Sequence, residues 1–240
     1  MPSFLYPTVK QPDKERDDLM SIILAIEPQP RKKDQYILTL DDGRCFSVNK
    51  EIIVKYRLQS GTEINEEQLR SRIWEANVKT ASDLALNYLT YRSRTKKQLY
   101  DYLKRKGFEE SELEEVIRRM EEYRFLDDGE FARRWVQSKK TGKPTGRRKI
   151  AYELKSKGIA QDVLESALDT LTVEEEQQQA CKLAEKAALK YRHLPYRQRM
   201  AKISQALLRR GFDWEIISCA LRYISDEENE AESPDLWLDS

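Results

Sequence analysis

Residues 97–117, KQLYDYLKRKGFEESELEEVI, recur twice further along the chain, as RKIAYELKSKGIAQDVLESAL at 148–168 and AKISQALLRRGFDWEIISCAL at 201–221. Each copy carries one glycine at the same internal position, Gly107, Gly158 and Gly211, spaced 51 and 53 residues apart. An apolar residue stands eight before each glycine (Leu99, Ile150, Ile203), a leucine four before (Leu103, Leu154, Leu207) and an apolar residue directly after (Phe108, Ile159, Phe212). Self-similarity at a fixed period is the mark of a repeat architecture, one supersecondary unit used several times. The glycine reads as a helix C-cap: it takes φ > 0 at no steric cost while the next apolar side chain packs back.

Outward from these copies the chain divides into three-helix units at 81–126, 127–171 and 172–225. The helices are expected near 82–91, 94–106 and 110–123, then 128–140, 146–157 and 161–170, then 173–191, 196–210 and 213–224. Asp127-x-x-Glu130 and Thr172-x-x-Glu175 have the form of capping boxes, Asp213 can cap the last helix, and the run 141–146, TGKPTG, is a break. Upstream, 1–18 is a loose lead-in with Pro2, Pro7 and Pro12. Residues 19–61 form a small β-rich subdomain: apolar runs at 19–26, 35–40 and 44–48 with Asp41-Asp42-Gly43 as a hairpin turn give a three-stranded meander, and a short helix at 50–58 is closed by Gly61. A connecting helix at 62–80 is opened by the Asn65/Gln68 capping box and reaches about Trp74 to Val78, and Ser82 then starts another. The tail 226–240 is acidic and expected to be disordered apart from a lone apolar cluster, Leu236-Trp237-Leu238. The fold class is therefore mainly all-α, three tandem three-helix repeats in an elongated curved array behind a small N-terminal β-meander.

Composition agrees with a solvated helical array: 39% hydrophobic and 35% charged residues in 240. Net charge is only +1, yet residues 131–158 hold ten Lys or Arg against Glu153 alone, 191–211 hold six with no acid, and 226–240 hold seven acids with no base. Such polarity suggests a polyanion-facing surface beside an acidic tail. Cys45, Cys181 and Cys219 are odd in number, far apart and without a CxxC, as in a reduced cytoplasmic protein. No apolar run approaches the roughly 18 residues of a membrane span, so a cytoplasmic chain with no membrane partner is expected.

Catalytic constellations are missing. The single histidine, His193, lies in a basic helix end, which leaves no His-rich metal site, and neither a GxxxxGK[ST] loop nor a GxGxxG turn is present. The carboxylate pairs Asp41-Asp42 and Asp127-Asp128 sit where turn and cap chemistry already explains them. No catalytic residue, metal or cofactor is assigned, and the chain reads as a non-enzyme.

Binding chemistry is better supplied. On a helix at about 100° per residue, Ile150, Ala151 and Leu154 share a face and Arg148, Tyr152 and Lys155 share the neighbouring flank. Cations around an aromatic hold phosphates while offering a stacking surface. In the first repeat Lys97 and Lys104 match, but Asp101 replaces the aromatic; the third offers Ala201, Gln205 and Leu208. The signal peaks in the second repeat, where Arg133, Arg134, Lys139 and Lys140 precede it and Lys143, Arg147 and Lys149 surround the break.

These residues resemble a known family. Residues 126–133, LDDGEFAR, followed by Gly146-Arg147-Arg148-Lys149-Ile150, Glu153-Leu154 and Lys157-Gly158-Ile159, look like the signature of the RecX regulatory proteins, and the triplicated pattern over about 80–224 is similar to that family's tandem units. The start of the first repeat, Ala85-Leu86-Asn87-Tyr88-Leu89 with Tyr91-Arg92-Ser93-Arg94, fits as well. The resemblance implies a monomeric, non-enzymatic modulator of the RecA recombinase that lies in the groove of its filament on single-stranded DNA and lowers its ATPase, strand-exchange and coprotease activity. It also implies Phe131 as a packing residue and Arg133, Arg147 and Arg148 as positions in the basic unit, with single-stranded and double-stranded DNA as further partners. A stand-alone DNA- or RNA-binding repeat protein acting without recombinase is the alternative.

Overall fold

A computed structural model describes residues 20–30 and 34–231, with side chains up to Asp226. The described chain falls into two units, one up to Asp83 and one from Leu84 onward.

The first unit contains β1 (Met20–Pro28), β2 (Gln35–Leu40), β3 (Cys45–Asn49), α1 (Lys50–Lys55), β4 (Glu63–Asn65) and the start of α2 (Glu66–Thr90). The strands are antiparallel in the order β3-β2-β1-β4. Alternate positions Ile23, Leu38, Leu40 and Val48 point inward and form one core with Ile52, Leu58, Ile64 and Leu69, the period-2 pattern of a sheet covered on one face. The Asp-Gly turn closes β2 to β3 as a three-residue loop: Leu40 N–H donates to Arg44 O at 2.9 Å and Gly43 sits at φ +84°. Asp42 accepts from Arg44 N–H at 2.9 Å, so this carboxylate serves the turn.

Two expectations change here. The meander has a fourth strand, β4, pairing Ser21 with Ile64; three residues with one apolar side chain are too short to show alternation. Ser82 does not open a helix, because α2 runs unbroken from Glu66 to Thr90. The Ser82 hydroxyl donates to Val78 O at 2.7 Å and Thr80 to Ala76 O at 2.9 Å, the back-bonding that lets a polar residue sit inside a helix. At its start, Asn65 accepts from Gln68 N–H at 3.0 Å, as its capping signature requires.

The second unit holds α3 (Lys96–Lys106), α4 (Glu110–Glu122), α5 (Asp128–Thr141), α6 (Arg147–Ser156), α7 (Gln161–Leu168), α8 (Val173–Lys190), α9 (Tyr196–Arg209) and α10 (Trp214–Ala231). With the end of α2 these supply three helices per repeat. Thr95 and Thr172 close capping boxes, and Asp127 accepts from Glu130 N–H at 2.7 Å. The repeated glycines stand at φ +93°, +85° and +79°, as C-cap residues must. The repeated apolar positions Leu99, Leu103, Ile150, Leu154, Ile203, Leu207 and Phe212 are buried, each contributing about 1.5–3 kcal/mol of transfer free energy. Repeats two and three own separate cores, one around Val136, Ile150 and Leu164 and one around Ala184, Ile203 and Ile217. Past Asp226, where disorder was expected, α10 continues to Ala231; an amphipathic helix already nucleated by its core face propagates at low cost. The 236–238 apolar cluster and the lead-in 1–18 lie outside the described residues.

Candidate polyanion-binding site at the repeat joints

The middle helices of the repeats, α3, α6 and α9, meet end to start. Helix α6 has no side-chain N-cap, since Gly146 occupies that position. Instead Gly146 N–H donates to Arg210 O at 2.9 Å and Arg148 N–H to Gly211 O at 3.1 Å. Orphan amides of one helix are thus satisfied by the carbonyls at the end of another. At the preceding joint the Thr95 hydroxyl donates to Lys157 O at 2.7 Å, and Lys157 is the repeat equivalent of Arg210. A carboxylate from the next repeat's first helix completes each joint: Asp128 accepts from Lys96 N–H at 2.9 Å and Glu176 from Arg147 N–H at 2.7 Å. Negative charge at a helix start is the favoured sign. Burial is the main cause that raises the Asp128 carboxyl above its ordinary value, opposed by the Lys96 amide and charge.

Close approach depends on the glycines. A Cβ on Gly211 would come within 2.5 Å of Lys149 N and Cβ, and one on Gly158 within 2.5 Å of Lys97 Cβ and Cδ. Gly107, at the end with no repeat before it, has open space around its Cα.

The column so formed is basic. Its three helices carry thirteen Lys or Arg (five, four and four) against Asp101 and Glu153, whereas α4 and α7 carry eight acids (six and two) against Arg118 and Arg119. The repeats therefore sort charge by helix, and the second helices form the face suited to a polyanion.

Within that face the candidate residues separate into two groups. Arg147 is committed internally: its side chain lies 3.6 Å from buried Glu176 and donates to Leu171 O at 2.6 Å. Lys139 pairs with Glu153 at 2.7 Å and lies over Trp135, while Lys140 pairs with Glu175 at 2.6 Å and donates to Thr170 O. Arg134 pairs with Glu130 one turn earlier at 2.5 Å, both exposed. By contrast Arg148, Tyr152 and Lys155 are all exposed on α6, with Tyr152 at 73%. Among the described residues Arg148 has a loose partner, Asp213 at 3.5 Å. Arg133 and Lys143 are exposed, and Lys149 is half-buried with its stem over Gly211. Phe131 is half-buried and stacks on Trp135 at 5.9 Å, the packing role expected of it.

Trp214 was not singled out from the sequence. It follows Asp213, which the ion pair tethers to Arg148, and it is 64% exposed. Its repeat equivalent is Gln161, just as Tyr152 replaces Asp101 and Arg148 replaces Lys97. The signal that could have found it is its place three residues after the repeated glycine. Asp213, expected as a cap, directly precedes α10 and its carbonyl accepts from Ile217 N–H at 2.9 Å, while its carboxylate lies 3.5 Å from Arg148. His193 is exposed between α8 and α9, at a helix end as expected.

Comparison with known proteins bears directly on this arrangement. Residues 81–120, 127–168 and 174–221 match the first, second and third three-helix domains of RecX, so the matched segments coincide with the three repeats whose middle helices form the column. The chain is 33% identical to the Regulatory protein RecX of Bacillus licheniformis over 88% of this chain and 80% of the relative. It is 31% identical to that of Bacillus subtilis over 89% and 82%. A crystal structure of regulatory protein RecX superposes with a TM-score of 0.60 at 29% identity, covering 82% of this chain and 97% of the other. RecX from Lactobacillus salivarius gives 0.61 at 30%, covering 63% and 98%. Three repeats in the same order, relatives aligned over most of both chains and a shared fold place this chain in the RecX family.

Proposed function

We propose that this protein is a non-enzymatic regulator that binds the RecA recombinase on its single-stranded-DNA filament and lowers its ATPase, strand-exchange and coprotease activity, restraining DNA repair by recombination and the DNA-damage response. Family membership supports the partner, and the observation that carries the mode of binding is the basic column of α3, α6 and α9 joined end to start. Such a column is long in one dimension and repeats its cations, as an elongated polyanionic target requires. The binding residues in this reading are Arg133, Lys143, Arg148, Lys149, Tyr152 and Lys155, while Arg134, Lys139, Lys140 and Arg147 shape the scaffold beneath them. The protein acts as a cytoplasmic monomer without cofactor, on single-stranded and double-stranded DNA beside recombinase. Among the described residues no helix is long and apolar enough to cross a membrane.

Titrating the protein into recombinase-coated single-stranded DNA should depress ATP hydrolysis at substoichiometric amounts; no effect at any ratio sinks the proposal. The exposed Arg148, Tyr152 and Lys155 flank also favours a second reading, binding of naked DNA or RNA without recombinase. That reading requires tight, salt-steep binding to the free nucleic acid, and binding only in the presence of recombinase excludes it.

A further inference from the structure

The joint between repeats two and three carries two exposed aromatics on the two helices that Arg148 links. Tyr152 stands one turn after Arg148 on α6, so their side chains are neighbours on the helix surface. Trp214 opens α10 directly after Asp213, and the Asp213 carboxylate lies 3.5 Å from the Arg148 guanidinium. Arg148 N–H further bonds Gly211 O at 3.1 Å, which fixes the α10 start against the α6 start through backbone. Burial explains neither ring, because Tyr152 is 73% and Trp214 64% exposed. At the joint between repeats one and two the same positions are Lys97, Asp101, Ala160 and Gln161, with no aromatic.

Two large apolar surfaces left in water beside cations suit a ligand with alternating anionic and flat apolar parts. Duplex DNA presents phosphates but keeps its base faces stacked inside. An unpaired strand offers both, and stacking on an aromatic is tolerant of base identity because every base has a π-face. Resting on the filament-binding reading above, we propose that Trp214 and Tyr152 form a seat for unstacked nucleobases at the second joint, with Arg148, Lys149 and Lys155 holding the flanking phosphates. Asp213 aims the guanidinium and is displaced from it when a phosphate arrives. The seat makes this joint selective for single over double strands, while the rest of the column supplies charge to either.

The test uses the full chain with an oligothymidylate of about 12 nucleotides and a blunt duplex of the same length. Replacing Trp214→Ala or Tyr152→Ala should weaken oligothymidylate binding about 5- to 100-fold each, leave duplex binding within about twofold, and leave the far-UV circular dichroism and melting unchanged. Tryptophan emission should be quenched by the oligothymidylate and not by the duplex, and Trp214→Phe should abolish the quench while preserving affinity. Equal loss on single and double strands, or unchanged oligothymidylate binding in both alanine variants, overturns the seat. Unchanged oligothymidylate binding with lost action on the recombinase filament overturns it too and assigns the rings to a protein contact. If the wild-type chain has no effect on filament ATPase, the filament reading fails by itself, and the oligonucleotide comparison still decides the seat.

Discussion

Alanine at Gly107, Gly158 and Gly211 separates what the glycines do for a helix end from what they do for a joint. All three have φ between +79° and +93°, so each substitution carries a similar left-handed strain of about 1–2 kcal/mol. At Gly107 nothing among the described residues lies within 4 Å of the added Cβ, and strain is the whole cost. At Gly158 the methyl would lie 2.5 Å from Lys97 Cδ, which moves when the lysine re-orients, and 2.5 Å from Lys97 Cβ, which moves only with its backbone. At Gly211 it meets Lys149 N at 2.5 Å and Cα at 2.9 Å, backbone that cannot move without the whole α6 start. Overpacking of this kind costs about 1–3 kcal/mol. Loosening the Gly146–Arg210 and Arg148–Gly211 hydrogen bonds costs about 1 kcal/mol each. The expected losses are therefore about 1–2 kcal/mol for Gly107→Ala, about 2–5 for Gly158→Ala and about 4–7 for Gly211→Ala. Urea unfolding followed by far-UV circular dichroism reads the order, and Gly211→Ala should also broaden or split the transition, because repeats that lose their interface unfold separately. Equal midpoint shifts for all three variants refute tight joints and leave only the C-cap role.

The same joints yield further tests. Glu176→Ala strips the α6 start of its carboxylate and should destabilise by about 2–4 kcal/mol in urea unfolding, whereas Glu175→Ala, losing a more exposed pair and one arm of a capping box, should shift the midpoint clearly less. Replacing Arg148, Lys149 and Lys155 by alanine should weaken filament binding and flatten its salt dependence by up to three in the log–log slope with the fold intact, while Arg147→Ala should lower the melting temperature instead. The Glu115 and Asp128 carboxyls should be shifted in opposite directions from their ordinary values. Hydrogen bonds from Arg118 and then Arg119 hold the Glu115 carboxyl down to about 2, so its contribution is present above 4.5 and is lost as pH falls toward 2. Burial raises Asp128, so relative to Asp128→Asn the wild type is most favoured below 3.8 and loses ground as pH rises through the folded value. Carboxyl NMR titration reads both, and a Glu115 midpoint near 4.5 would contradict the geometry around Arg118 and Arg119.

Local chemistry was legible in the sequence wherever a residue's role is settled by its near neighbours. The three glycines, the Asp-Gly hairpin, and the Thr172 and Asp127 caps all act within a few positions of themselves, and all were placed from spacing alone. Ser82 misled because a serine that can cap a helix can equally bond back to the carbonyl four residues earlier, and only the continuing apolar core decides. β4 was missed because its partner, β1, lies some forty residues away. The candidate site was half legible for the same reason. Arg147 and Arg148 are adjacent and chemically identical, yet one turns to Glu176, 29 residues on, and the other faces water. Trp214 comes near Arg148 through a joint that brings the α10 start to α6, and no periodicity announces that contact.

The end-to-start joining of α9, α6 and α3 gives the array a direction. Three backbone dipoles in series place a positive tip at the start of α9 and a negative one at the end of α3, as the helix ends facing each other at both joints require. Helix α9 begins at Tyr196, whereas the repeat equivalent of Arg147 is Met200, so an additional turn occupies the place where a fourth repeat would attach. The two tips are thus unlike in charge and shape. A nucleic-acid strand is also directional, with sugars that distinguish one way along it from the other. In the binding mode proposed above, a polar rod laid on a polar strand would have two non-equivalent alignments of different energy, and the helix order is what would distinguish them.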